Sequence, residues 1–374
     1  MRWSLKVAHV AGTDVYVHAT FFALLAWIGV VDGLEKGSIA AAAAAVAFTT
    51  MLFVCVVLHE FGHASMSRRF GIQTRDIVLY PFGGVGHLER IPDVPSQEFL
   101  IALAGPAVSL SIALVLFAVV RILGGTPHLE DVSGGNTSVA ERLILINIAL
   151  AAFNLLPAFP MDGGRVLRAL LAMRLDYARA TELAARVGQA MAVLFAIVGA
   201  WLNPLLILIA LFVWVGATGE AALAQVRQRL QGARADAAMR TDFATLSPGD
   251  AIGRAAELTI RHAQSDFPVV EDGQVVGMLT HRDVARWLSE DAEPRLVDEV
   301  MHRTFEIIDR SEPLEAVFGR LQQEPEKTLI VTDHGRLAGL VGLAEIATLL
   351  RITRSISRRL PVVPIPRRPA HGGV

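Results

Sequence analysis

The run Thr49-Thr50-Met51-Leu52-Phe53-Val54-Cys55-Val56-Val57-Leu58 is apolar enough to lie in lipid, yet it leads directly into His59-Glu60-Phe61-Gly62-His63. It reads as an apolar helix, a form that satisfies its own backbone hydrogen bonds in hydrocarbon. On a helix His59 and His63 stand one turn apart on a single face, where both imidazoles can hold one metal ion. Glu60, next to the first histidine, is placed to take a proton from a water activated by that ion. Ionisable groups at membrane depth are expensive and by default mark function. The plain alternative is a polar helix end that reaches to the membrane interface.

Of the 374 residues, 53% are hydrophobic and 19% charged, where globular chains average about a quarter charged. Long apolar runs dominate residues 18–222, and alternating or charged sequence fills 223–374. This pattern predicts a membrane portion followed by a soluble one. A formal net charge of −2 argues against a general nucleic-acid binder. Cys55 is the single cysteine, so no intrachain disulfide framework exists. It lies one turn before His59 and reads as a small buried hydrophobe rather than a ligand. The first fifteen residues alternate in strand fashion without an apolar core and cleavage site, so no removable signal peptide is expected.

Residues 5–17 predict a β-hairpin that turns through Ala11-Gly12-Thr13. A helix over 19–31, a turn over Asp32-Gly33-Leu34-Glu35-Lys36-Gly37 and a second helix over 38–66 follow. His18, at the start of the first helix, reads as a capping or interfacial residue. Residues 77–88 alternate and contain Pro81, Gly83, Gly84 and Gly86, which predicts a hairpin rather than a span. Open strand edges cannot face lipid, so this hairpin must lie in the interface or line a wet cavity. Its edge is also a place where an extended peptide can add as a strand, although a surface hairpin without a ligand fits equally. A third helix over 97–122 carries Ala104-Gly105-Pro106-Ala107-Val108-Ser109, small residues that let helices approach closely. A polar loop (124–138) and a fourth apolar segment (140–156) come next, with Asn147 and Asn154 on one face.

In Pro157-Ala158-Phe159-Pro160-Met161-Asp162-Gly163-Gly164-Arg165 the prolines end a helix and the glycines permit irregular backbone. Residues 165–186 read as amphipathic or interfacial, and helices over 187–202 and 204–221 complete the series. The sum is a polytopic α-helical membrane domain of about six transmembrane helices with a membrane-associated β-hairpin. Arginines and lysines gather before the first helix (Arg2, Lys6), between the second and third (Arg68, Arg69, Arg75, Arg90), and between the fourth and fifth (Arg165, Arg168, Arg174, Arg179, Arg186). The opposite loops offer Lys36, Arg121 and Arg142. By the positive-inside rule both termini are cytoplasmic, and His59 and His63 lie toward the cytoplasmic end of their helix.

Beyond a charged, alanine-rich linker (223–236) the chain repeats itself. Met239 and Met301, Gly277 and Gly339, and Asp283 and Glu345 share a single offset, and Phe267-Pro268-Val269-Val270 aligns with Leu329-Ile330-Val331-Thr332. An internal duplication of an α/β module follows, each half reading strand, helix, strand, turn, strand, helix. The Arg- and Pro-rich tail over 353–374 reads as disordered and attracted to anionic lipid.

A catalytic zinc wants three protein ligands beside water. Asp162, just after the broken helix, is the best third donor, although an aspartate there also suits a helix cap. Asn154 either donates a hydrogen bond to a substrate carbonyl or developing oxyanion, or joins two helices.

His59-Glu60-Phe61-Gly62-His63 on one span, with Asn154-Leu155-Leu156-Pro157 through Asp162-Gly163-Gly164 on a later one, resembles the site-2 protease family of intramembrane zinc metalloproteases. Pro81-Phe82-Gly83-Gly84 and Ala104-Gly105-Pro106 resemble that family too, and the soluble repeat resembles a cytoplasmic α/β pair of CBS domains. The resemblance covers the chain to about residue 350, without a PDZ-like insertion between the spans. It implies a protease domain at 1–222 and CBS domains at 237–292 and 293–352. It implies one zinc held by His59, His63 and Asp162, with Glu60 as general base. Gly277-Met278-Leu279-Thr280-His281-Arg282-Asp283 resembles the CBS segment that holds adenine nucleotides, with Thr280 and Asp283 as its polar residues. In the second repeat Gly342 and Glu345 replace that threonine and aspartate, so one nucleotide site is expected at most, and a purely dimerising pair fits as well.

The expected activity is therefore hydrolysis of a peptide bond in or near the transmembrane segment of a membrane-tethered regulator, such as an anti-sigma or pro-sigma factor. The lipid bilayer is a partner, a homodimer would form through the CBS domains, and nucleic acid is excluded. The alternatives are a CBS-regulated transporter or channel with the His/Asp cluster as an ion site, and a scaffold without catalysis. A transporter of that kind would show repeated broken helices, and 18–222 contains no such repeat.

Overall fold

The structure, a computed structural model, describes residues 3–89, 92, 94–125, 138–262, 264–289 and 295–359, with side chains to Thr353. The chain divides into two compact units, Met1–Gln225 and Val226–Val374.

The first unit opens with β1 (Ser4–Val10) and β2 (Thr13–His18), the expected hairpin. Next come α1 (Ala19–Lys36) and α2 (Ile39–Arg69), then β3 (Thr74–Tyr80) and β4 (Gly83–Leu88). The sheet order is β1-β2-β3-β4, antiparallel except for the parallel pair β2–β3. Parallel strands need a long crossover, and the α1–α2 helical hairpin supplies it. Val17 and Leu79 on the sheet pack against Phe21 and Phe53 of the two helices, anchoring α2 to the sheet that carries β4.

His18 caps α1, its Nδ1 accepting from Thr20 N at 3.3 Å, as the cap reading expected. The turn expected over Asp32–Gly37 is shorter than that. Helix α1 continues to Lys36, whose ammonium pairs with Asp32 one turn earlier at 2.9 Å, and the left-handed Gly37 (φ 60°) ends it.

Helices α3 (Pro95–Ile122), α4 (Val139–Asn154), α5 (Asp162–Ala172), α6 (Tyr177–Trp201) and α7 (Leu205–Leu230) complete the unit. Gly62 on α2 lies so close to α3 that an added Cβ would be 2.7 Å from the Ala104 carbonyl oxygen. The small-residue segment does permit close packing. Residues 165–186 resolve into α5 and the first turns of α6, which begins earlier than expected.

Among the described residues, four helices are long and apolar enough to cross a membrane: α2, α3, α6 and α7. The expected count of about six is not reached by this measure. Helix α1 carries Asp32, Glu35 and Lys36 in its last turns, and α4 has 16 residues, where a straight span needs about 20.

The second unit contains α8 (Ile252–His262), β5 (Phe267–Glu271), β6 (Gln274–Leu279) and α9 (His281–Ser289). It continues with α10 (Val297–Val300), β7 (Ile307–Asp309), α11 (Leu314–Gln323), β8 (Leu329–Asp333), β9 (Arg336–Val341) and α12 (Leu343–Arg359). The repeat is visible in its turns. Asp272-Gly273 and His334-Gly335 both adopt positive φ at two successive residues, the mirror-image turn that joins two-residue hairpins. The leading segment of each repeat pairs with the other: Arg240 with Leu340, and His302 with Met278. Met278, Ile330 and Leu340 form a shared core between the repeats. The expected first strand of the first repeat is reduced to one bridge, Leu246 to Val269. The expected linker begins inside a helix, because α7 runs to Leu230. Residues 353–359, expected as part of a disordered tail, belong instead to α12, which reaches Arg359; residues 360–374 of that expected tail lie outside the described residues, as do 126–137 of the polar loop.

Candidate metal centre

His59 and His63 are 3% and 8% exposed on α2, facing α3. His63 Nδ1 donates to the Ile101 carbonyl at 2.7 Å, which leaves the lone pair of the neutral ring on Nε2. His59 Nδ1 lies 2.9 Å from the Ser109 hydroxyl. Both Nε2 atoms therefore turn inward and stand 3.2 Å apart.

Asp162 meets them from α5. Its Oδ2 is 3.2 Å from His59 Nε2 and 3.1 Å from His63 Nε2. The cap alternative does not hold, because Met161 occupies the N-cap of α5 and no side chain caps that end. Gly163 and Gly164 let α5 approach this closely, since a Cβ on either would strike the carbonyls of Leu155 and Leu156 or the backbone of Ala158. Arg165 Nη1 stands 4.0 Å from Asp162 Oδ1.

The donor set fits a zinc ion. Two imidazole nitrogens and a carboxylate oxygen form a near-equilateral triangle, and ligands at about 2.0 Å in a tetrahedron stand about 3.3 Å apart. Gly105 of α3 fronts the triangle, and a Cβ there would collide with His59 Nε2 and His63 Nε2. The space beside the donors is thus kept clear by a missing side chain. His59, His63 and Asp162 are the one group of metal-capable side chains found among the described residues, so Cys55, buried on α2, is a core residue.

Glu60, half-buried, points toward β4. A Cβ at Gly84 would come within 2.7 Å of Glu60 Cγ, and one at Gly86 within 3.2 Å of Glu60 Oε2. The strand lies across the carboxylate because it carries no side chains there. His59, His63, Asp162 and Arg165 set the electrostatic field around this group.

Asn154 is the last residue of α4, half-buried, and makes no side-chain hydrogen bond among the described residues. The interhelical bond open to it from the sequence is not formed. In the second unit, Thr280 and Asp283 come together: Asp283 Oδ2 accepts from Thr280 N at 3.0 Å and from the Thr280 hydroxyl at 2.5 Å. His302 Nε2 lies 3.0 Å from the same carboxylate. The equivalent Glu345 accepts from Gly342 N at 3.1 Å and pairs with Arg240 at 3.1 Å.

Sequence reasoning missed Ser109, the Ile101 carbonyl, and the steric roles of Gly84, Gly86 and Gly105. The three glycines were visible as small residues, but what each one faces depends on tertiary packing.

A buried triangle of two histidines, on a helix fit to cross a membrane, and an aspartate from the short α5, beside a glutamate, defines a membrane metallohydrolase. Comparison with known proteins agrees. The family model described as Peptidase family M50 matches residues 47–143 and 131–195, and the CBS domain model matches 235–290 and 297–352. A zinc metalloprotease of Methanocaldococcus jannaschii is 33% identical over 282 residues, 75% of this chain and 78% of that protein. Stage IV sporulation protein FB of Bacillus subtilis is 26% identical over 170 residues, 45% of this chain and 51% of that protein. The solved site-2 protease of Methanocaldococcus jannaschii is 35% identical and covers 59% of this chain and 95% of that one, with a TM-score of 0.44. The chain belongs to peptidase family M50, the site-2 proteases, and is a zinc metalloprotease with tandem CBS domains.

Proposed function

We propose that this protein hydrolyses a peptide bond in or near the transmembrane segment of membrane-tethered regulatory proteins, with anti-sigma or pro-sigma factors as the substrate class. The observation that carries the reading is the triangle of His59, His63 and Asp162 fronted by Gly105. These three residues would hold the zinc, which when bound acidifies water and polarises a carbonyl. Glu60 acts as general base toward the attacking water and then returns the proton to the leaving amine. Asn154, free at the end of α4, hydrogen-bonds the substrate carbonyl or the oxyanion.

A transmembrane helix hides its carbonyls in its own hydrogen bonds, so the substrate must be extended before it is cut. Strand β4 is an edge of its sheet and passes over Glu60 at Gly84 and Gly86, which supports strand addition there as the way of presenting it. The apolar segments are read as about six spans, and the distribution of basic residues supports an orientation with both termini and the CBS domains cytoplasmic. An adenine nucleotide bound at Thr280 and Asp283 regulates access to the site or the arrangement of a CBS-mediated homodimer.

The test is cleavage of a reporter transmembrane substrate by purified protein with zinc, beside Glu60→Gln. Cleavage by the wild type alone is the expected result. Zinc binding without cleavage across several substrates would favour an ion site in a transporter or channel, and equal cleavage by both forms would remove Glu60 as the base.

A further inference from the structure

Asp162 reaches the histidines only if α5 is held at a fixed distance from α2, and a second cluster on α5 does that holding. Arg168 is 4% exposed. Its Nε and Nη2 donate to Glu98 Oε1 of α3 at 2.9 and 2.5 Å, and its Nη1 donates to Glu220 Oε2 of α7 at 2.8 Å. The guanidinium also lies 5.0 Å from the ring of Phe159, in the loop that leads to Asp162, and 5.1 Å from Tyr177 at the start of α6. Glu98 is 1% exposed. A buried ion pair is poor evidence for stability, because apolar residues of similar volume often serve as well. What it supplies is a directional link, with two donors of a rigid fork meeting one carboxylate oxygen, that apolar packing lacks.

The direction of that link closes a ring. His63 Nδ1 is tied to the Ile101 carbonyl of α3, and Glu98 lies one turn before Ile101 on that helix. Glu98 holds Arg168 on α5, and α5 begins with Asp162, which faces His63. Helix α3 is thereby fastened to α2 and to α5, and Asp162 and His63 face each other on the third side of the ring, which a metal ion would close. We propose that Arg168, with Glu98 and Glu220, is a positioning unit that sets the distance of Asp162 from the two histidines and so tunes metal affinity. None of the three touches the reacting atoms. The proposal rests on the reading that His59, His63 and Asp162 hold the metal.

The test uses full-length protein in detergent with cobalt(II) in place of zinc. The d–d absorption reports ligand geometry, chelator competition reports affinity, and thermal unfolding is followed in parallel. Glu98→Gln and Arg168→Lys, where folded, are expected to lose at least tenfold in cobalt affinity and to shift the d–d bands, and Glu220→Gln to lose severalfold. Leu143→Ala, buried on α4 outside the ring, is expected to lower the unfolding midpoint and leave affinity and spectrum unchanged. The Glu220 side chain is 37% exposed, so Glu220→Gln is expected to fold and to stay readable even if the buried pair fails to fold. Wild-type affinity and spectrum in folded Glu98→Gln or in Glu220→Gln would overturn the proposal. Wild-type protein that binds cobalt no better than His59→Ala/His63→Ala would instead sink the metal site itself, and the positioning role with it.

Discussion

Asp162 and Asp283 each stand in the first turn of a helix, and they do different work. Asp283 of α9 reaches back to Thr280, accepting from both its amide and its hydroxyl, with His302 on the same carboxylate. Its lone pairs are met by donors, in the manner of a capping box. Asp162 of α5 caps nothing and faces two imidazole nitrogens, one of which carries a lone pair by virtue of the Ile101 contact. Acceptors turned on one another at 3.1 and 3.2 Å repel unless a cation or a proton lies between them. A carboxylate answered by donors is a structural group, and one aimed at other acceptors is half of a binding site.

The contrast breaks most visibly at Asp162. Asp162→Asn keeps the shape but removes the anionic donor, and the expected outcome is loss of stoichiometric zinc and of proteolysis together. The metal content of the purified variant checks it, and full zinc occupancy would place the third ligand elsewhere. Glu60→Gln should separate the two properties. Zinc is retained while cleavage falls by about 10²–10⁴-fold, the range for losing a general base. Metal analysis beside turnover of the reporter substrate measures both. Ser109→Ala is milder. It leaves His59 Nδ1 without its 2.9 Å partner, and zinc affinity should drop about 10–100-fold, read by chelator competition. Unchanged affinity would mean that packing against α3 alone orients His59.

How much of this was legible in the sequence follows the same division. The HEFGH helix end announced two ligands and a base because the helical period is fixed, and the hairpins announced themselves through Ala11-Gly12 and Asp272-Gly273. Asp162 was legible as a candidate but not as a decision, since an aspartate before Gly163-Gly164 serves either purpose until its direction is seen. Gly105 read only as a packing residue. Its second role appears when α3 crosses α2 and the absent side chain proves to face His59 and His63. Arg168 read as one more charge in an interfacial stretch, because its partners Glu98 and Glu220 come from helices far away in sequence. Local period and turn chemistry are written in neighbouring residues, and the direction of a buried polar group is not.

The smallest expected effect tests the other aspartate. Asp283→Ala removes the acceptor of two Thr280 donors and should cost about 0.5–2 kcal/mol, the usual loss for a helix cap. Hydrogen exchange on the α9 amides of the full-length protein measures it locally, while zinc content and cleavage without added nucleotide stay at wild-type values. Adenosine triphosphate sharpens the result. The Asp283 carboxylate already takes Thr280 and His302, but an ionised carboxylate has about four lone-pair sites, so ribose hydroxyls can still be accommodated. If the wild type binds the nucleotide and Asp283→Ala does not, while Glu345→Ala still does, this aspartate caps a helix and holds a ligand at once. If nucleotide binding survives in Asp283→Ala, or is absent from the wild type, Asp283 is a cap alone, and the division drawn between the two aspartates is complete.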